Sequence, residues 1–234
     1  MVLLAICDAN YCFTMFDIGQ YGSNNDSGVL LHSEMGQCFD EGSLMVPEEQ
    51  NINFTGNILP YYLVGDEIFP LKHWLMRPYP GPLYSYEVKI FNYRLSTARR
   101  TIENAFGILC ARWRIFQKPI KGSVENVQNI TLASMALHNY LKQTENASYR
   151  PTGFIDSEYN DGTIKKGEWR SEVQNGGFVD INPVRGSRYK KTALEMRETL
   201  KEYVNSENGS VPWQDVYIKR TSHDIDFSSI TENS

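Results

Sequence analysis

The first 50 residues of this 234-residue chain contain no lysine and no arginine, against eight acids. That absence excludes the stretch as a phosphate-binding arm. The opening Met1–Cys7 run is apolar, but it has no basic flank, is too short to span a membrane and runs straight into Asp8, so a buried strand is expected there rather than a signal peptide. Cysteine is scarce: Cys7, Cys12, Cys38 and Cys110 are scattered with no CxxC spacing. This excludes a disulfide framework and argues against a zinc site, leaving reduced core thiols and a cytosolic or nuclear compartment. There is no internal repeat and no long hydrophobic run, so no membrane association is expected.

What is present suffices for a core, with 41% apolar and 12% aromatic residues, in one sizeable domain followed by a tail or in two small domains. The formal net charge of −5 would argue against nucleic acid if it were evenly spread. Residues 89–121, however, carry Lys89, Arg94, Arg99, Arg100, Arg112, Arg114, Lys118 and Lys121 against the single acid Glu103. Such a local stripe can neutralise phosphates even in an acidic protein, because screening makes the nearest charges count most. Its alternative is a solvated helix face.

The pattern along the chain is α/β. Residues 2–7 and 11–18 form a β-hairpin around the turn chemistry of Asp8-Ala9-Asn10. The polar loop 22–28 holds Asn25 and Asp26, either of them placed to cap a short helix bearing Val29 and Leu30 and extending as far as Met35. Residues 40–57 form an exposed connection, and Ile58–Val64 returns to strand character, with Pro60 restricting it to an edge or a strand start. Pro70, Pro78, Pro80 and Pro82 keep the next segment a loop, anchored by Trp74 and Leu75. A long helix follows, with Phe91, Leu95, Ala98, Ile102, Ala105, Leu109 and Trp113 as its core stripe and Asn92, Ser96, Arg99, Glu103 and Gly107 as a polar lane beside it. A second helix starts at Gly122-Ser123, with Val127, Ile130, Ser134, Leu137 and Leu141 facing inward. From Thr144 to Arg188 the chain is polar and aperiodic, expected as a long loop or partial disorder. One helix, about residues 189–205, interrupts this tail.

Two acids stand where chemistry is plausible. Asp66 closes an apolar run that ends a strand, and Glu103 lies at the edge of the long helix's buried face. An acid at a strand end and an acid on a following helix can share one Mg²⁺ beside a nucleic-acid backbone. Taken alone, Asp66 reads as a strand-end turn acid rather than a ligand, and Glu103 as an ion-pair partner of Arg99 or Arg100. His138 on an apolar helix is expected to be a packing histidine, and His32 and His73 are open as neighbours of a site.

Several linked segments carry a resemblance. Val64-Gly65-Asp66-Glu67-Ile68-Phe69-Pro70-Leu71-Lys72 and Trp74-Leu75-Met76-Arg77-Pro78-Tyr79 resemble the second acidic motif of the Harbinger-type transposase and transposase-derived nuclease family, a branch of the DDE superfamily. In the same order and spacing follow Phe91-Asn92-Tyr93-Arg94, then Arg100-Thr101-Ile102-Glu103-Asn104-Ala105-Phe106-Gly107 with Arg112-Trp113-Arg114, and Ala136-Leu137-His138-Asn139-Tyr140-Leu141. The likeness covers roughly residues 2–141.

The resemblance implies an RNase H-like fold over residues 1–141, a tail over 142–234, and phosphodiester chemistry on DNA with Mg²⁺ or Mn²⁺ in the nucleus. Asp66 matches the family's second catalytic aspartate and Glu103 its glutamate. Asp26 matches a further acid assigned to metal binding, its alternative being a helix N-cap. Arg99, Arg100, Arg112 and Arg114 are the expected DNA contacts, and a separate DNA-binding partner protein is compatible with the pattern. The family's first aspartate lies on a strand upstream of the one that begins here at Val2, so the first strand is expected to be missing and cleavage by these 234 residues absent or very slow. The rival expectations are a catalytically inactive relative that binds DNA or protein, and a fragment with no stable fold.

Overall fold

The computed structural model describes residues 1–20, 26–51, 58–81, 85–173 and 190–219. Strand β1 (Val2–Cys7) pairs antiparallel with β2 (Phe13–Gln20), Leu4 opposite Asp17 and Ala5 opposite Phe16. The turn between them is held by Asp8, whose Oδ1 accepts from Asn10 N and Cys12 N, both at 2.9 Å. Apolar residues from both faces of β1 pack into the core, which accounts for its unbroken apolar run. Val2, Leu4, Ile6 and Met15 join Val29, Leu30, Met35, Trp74 and Leu75 on one face. On the other, Leu3, Ala5, Cys7 and Phe13 pack with Ala105, Leu109, Phe116 and Met135.

Helix α1 (Asp26–His32) is followed at once by α2 (Glu34–Glu41), a break absent from the sequence expectation of one short helix. Its cause is Ser33, which leaves helical geometry to become the N-cap of α2, accepting from Gly36 N at 2.9 Å. Strand β3 (Gln50–Asn51) pairs with β4 (Ile58–Leu59), and β5 (Leu63–Val64) pairs in parallel with β6 (Leu75–Met76). Pro60, with no N–H to donate, falls between β4 and β5, so the expected strand 58–64 is two short ones. The loop between β5 and β6 is tied down at Asp40, which accepts from Lys72 Nζ at 2.6 Å and Trp74 Nε1 at 2.9 Å. Among the described residues, strands pair only two by two.

Helix α3 (Tyr86–Arg112) starts at its cap Ser85 and runs through the middle of the molecule. Its second half is buried on several sides, at Asn104, Ala105, Gly107, Ile108, Leu109, Cys110 and Ala111, so the core is wider than a single stripe. Ala98, expected inside, is exposed. Helix α4 (Val124–Thr144), capped by Ser123, buries Thr131, Ser134, Met135, His138 and Lys142. The inner face is therefore rotated from the expected one, and Leu137 is 46% exposed. Asn139 fixes that rotation by accepting from Phe13 N at 2.8 Å and donating to Phe13 O at 2.7 Å. His138 is fully buried, as expected of a packing residue. Its Nε2 lies 2.8 Å from the carbonyl of Tyr11 and its Nδ1 3.0 Å from the Tyr149 hydroxyl. A carbonyl can only accept, so Nε2 carries the proton and Nδ1 accepts from the tyrosine.

The described part of the expected long loop, residues 145–173, is structured. Helix α5 (Asn146–Tyr149) packs on α4 and helix α6 (Trp169–Glu172) on α3, while the hairpin β7 (Ser157–Glu158) with β8 (Ile164–Lys165) is tied to α3 through Glu158. Phe154 is 1% exposed and closes a cluster with Ile108, Ala111 and Tyr149. Residues 174–189 lie outside the described residues. Helix α7 (Lys191–Asn205) falls where a helix was expected and lays Ala193, Met196 and Leu200 against Phe91 and Leu95 of α3. The α/β character expected from the sequence is present, and no helix among the described residues is long and apolar enough to cross a membrane.

Candidate active site

A water-accessible cavity of about 1230 Å³ opens between β1, the start of the β5–β6 loop, and α3. Consecutive residues of β1, Leu3 to Cys7, line one wall. Asp66 and Glu103, which come from two elements distant in sequence, both line this cavity. From the polar lane of α3, Ser96, Arg99, Glu103 and Gly107 face it, while Asn92 turns aside to bond the backbone of Tyr79.

Each acid is also engaged locally. Asp66 Oδ1 accepts from Ile68 N at 3.0 Å, a turn that begins directly after β5 and fixes where the carboxylate stands. Glu103 Oε1 lies 2.5 Å from Arg99 Nη1, one helical turn back, and its Oε2 lies 4.0 Å from Arg170 Nη2. The turn role of Asp66 and the ion-pair role of Glu103, both open from the sequence, are thus realised at the rim of one cavity. The Asp26 side chain lies outside the described residues; its backbone begins α1. Asp8 lines the cavity but spends Oδ1 on the hairpin turn, and Asp17 accepts from Glu34 N at 3.1 Å.

As donors for a divalent cation, two carboxylates facing water are right in kind, since hard cations take oxygen ligands. They are short in number: among the described residues no group of three or more His, Cys, Asp or Glu side chains could hold a metal ion. Glu103, moreover, is already ion-paired with Arg99, with Arg170 at 4.0 Å. His32 and His73 are exposed and do not line the cavity.

The basic stripe does not form one surface. Arg100 turns inward to Glu158 at 3.5 Å, where the side chains are 14% and 12% exposed. Glu158 also accepts from the Tyr93 hydroxyl and from Thr97 Oγ1, which pins β7 to α3. Arg112 donates through Nε to the Tyr149 carbonyl at 2.9 Å and stacks 4.1 Å over Phe154. Arg94 bonds Gly209 O and Gln214 Oε1. Of the four arginines expected on DNA, Arg99 reaches the cavity and Arg114 is exposed beside Lys118, while Arg100 and Arg112 hold the fold together. Electrostatic patterning in one dimension cannot tell a solvated arginine from one with a partner brought by a later segment.

That later segment also supplies residues absent from the sequence reading. Arg170 and Trp169 of α6 line the cavity. Asp156, its side chain 2% exposed, binds Arg170 in a fork, with Nε at 2.9 Å from Oδ1 and Nη2 at 2.5 Å from Oδ2, and also accepts from Gly167 N at 2.8 Å. Burial pushes the Asp156 carboxyl up, but the Arg170 bond, the Gly167 N–H and the nearby arginine charges outweigh it and hold the group below the usual carboxylate range. Phe154 and Trp169 in an otherwise polar stretch were the available signal, since large aromatics seldom stay exposed.

With this geometry, residues 1–139 match the family model described as "DDE superfamily endonuclease". The chain belongs to that family. Among curated proteins it is 32% identical over 146 residues to "Protein ALP1-like" of Arabidopsis thaliana, covering 62% of this chain and 36% of that protein. It is 28% identical over 139 residues to "Putative nuclease HARBI1" of Mus musculus, and 30% identical over 139 residues to that of Bos taurus, in each case covering 58% of this chain and 36% of the other. These relatives bear out the Harbinger transposase-derived kinship that the motifs indicate. The chain spans about a third of the length of the curated relatives it matches. No solved structure matches it.

Proposed function

We propose that this DDE superfamily endonuclease chain takes part in divalent-metal-dependent cleavage of DNA phosphodiesters in the nucleus, with Asp66 and Glu103 as the carboxylates that face the cation and Asp26 as a third ligand. The observation that carries this is the convergence of Asp66 and Glu103 on one cavity from separate elements. A bound Mg²⁺ or Mn²⁺ would supply Lewis acidity to the scissile phosphate and activate the attacking oxygen. Arg99, beside Glu103, would hold a phosphate oxygen, and Arg114 a phosphate further along the backbone. A separate protein that delivers the domain to its target is compatible with this role.

A second reading, a relative that binds DNA or protein without cleaving, is favoured by the ion pairs that engage Glu103. Paramagnetic broadening by Mn²⁺ separates the two. Broadening of nuclei around residues 66 and 103, lost in Asp66→Asn and Glu103→Gln, supports the metal-dependent nuclease; Mn²⁺ binding elsewhere or not at all supports the binder. Metal-dependent nicking of plasmid, abolished by Glu103→Gln, completes the test.

A further inference from the structure

The cavity wall contains a guanidinium that is not merely a surface charge. Burying the Asp156 carboxylate at 2% exposure is expensive unless it is paired and fully bonded. Arg170 and the Gly167 N–H do this, and Gly167 has no room for a side chain: a Cβ there would meet Ile155 C at 2.4 Å. Asn104 completes the anchor, bonding Asp156 N, Asp156 O and Trp169 Nε1. The Arg170 guanidinium is thus gripped along one edge by Asp156, with its Cζ 4.4 Å from the centroid of the Trp169 ring, while its side chain remains 39% exposed on the cavity. Glu103 lies 4.0 Å from it and Arg99 shares the same wall.

A planar fork held on one edge and open on the other is suited to a phosphate oxygen, because little side-chain freedom is left to lose on binding. We propose that Arg170, oriented by Asp156 and Trp169, contacts a backbone phosphate of bound DNA at this cavity. The proposal deepens the nuclease reading and rests on it. The folded segment 145–173 then acts as part of the site, delivering a cation beside the acid of α3.

Fluorescence anisotropy with a short duplex of arbitrary sequence, titrated at several salt concentrations, tests this. Arg170→Gln is expected to weaken binding several-fold and to lower the salt slope by about one, the loss of one phosphate contact. Asp156→Asn gives the sharper sign. It makes the protein more positive, so a diffuse charge effect would tighten binding, whereas loss of the Arg170 anchor weakens it. Should either variant fail to fold, the unaltered protein still decides. The Arg170 Nη–H resonances, assigned by NMR, are expected to shift on adding the duplex. Duplex binding with an unchanged slope in Arg170→Gln, tighter binding by Asp156→Asn, or an unmoved Arg170 resonance overturns the proposal and leaves the nuclease reading intact. Absence of any duplex binding by the unaltered protein overturns both.

Discussion

Asn104 and Asp156 are joined by a pair of hydrogen bonds across 52 residues of sequence: Asn104 Oδ1 accepts from Asp156 N at 3.0 Å and Asn104 Nδ2 donates to Asp156 O at 3.3 Å. The side-chain amide of a helix residue thereby completes the backbone of a loop, next in α3 to the acid of the candidate site. Asn104→Ala would leave buried Asp156 N–H and C=O groups and the Trp169 Nε1–H without this partner. A loss of about 2–4 kcal/mol is expected. Urea denaturation measures it; a change below about 0.5 kcal/mol would show that segment 145–173 contributes little to stability.

Gly107 lies against the Trp169 indole, where an added Cβ would come within 2.4 Å of the ring. Glycine to alanine in a helix interior ordinarily stabilises by about 0.5–1 kcal/mol. Here the rigid ring must move, and Gly107→Ala is expected to destabilise by about 1–3 kcal/mol. The penalty should shrink in the Gly107→Ala, Trp169→Ala double variant relative to Trp169→Ala alone. Equal penalties in both backgrounds would mean that the indole is not the obstacle.

Arg99 and Arg100, adjacent in sequence, are expected to behave oppositely. Arg99→Ala removes a half-exposed i,i+4 pair with Glu103, so stability should change by about 0.5 kcal/mol or less, while duplex affinity falls and the salt slope drops by about one. Arg100→Ala strips the part-buried Glu158 of a partner and should cost stability with little change in slope. Parallel effects on the slope from both residues would restore the continuous basic stripe.

His138 ties stability to pH. Burial lowers its pKa in the folded protein, outweighing the Tyr11 carbonyl bond. The unfolded chain therefore takes up the proton first as pH falls, and stability that is full above pH about 6.5 declines below it. The slope is at most about 1.4 kcal/mol per pH unit for this one proton. Asp156, also depressed, adds a separate loss below pH about 4, as the unfolded carboxyl protonates before the folded one. Unfolding free energies measured from pH 8 to 5, compared with those of His138→Gln, isolate the first contribution; matching pH profiles would mean that His138 is not its source.

Much of the α/β framework was legible without coordinates because its signals are local. The hairpin follows from apolar runs on either side of turn residues, and the start of α4 from a hydroxyl cap at Ser123, signals that act over a few positions. The polar lane on α3 followed from helical periodicity, and Asp66 and Glu103 from their places at a strand end and a helix edge. Other features had no local signal. Ala98 is exposed because the cavity opens over that turn, and α4 is rotated because Asn139 bonds the Phe13 backbone. Segment 145–173 has weak propensity of its own and is ordered by burying Phe154 and Asp156 against α3. Arg100 and Arg112 look like Arg99 in sequence, and only partners at Glu158 and Tyr149 separate structural cations from one facing the cavity. Composition and periodicity determined which residues could carry charge and where helices and strands could form. Tertiary packing decided which of those charges meet a partner, because the cost of burying an ion depends on groups that only the fold brings near.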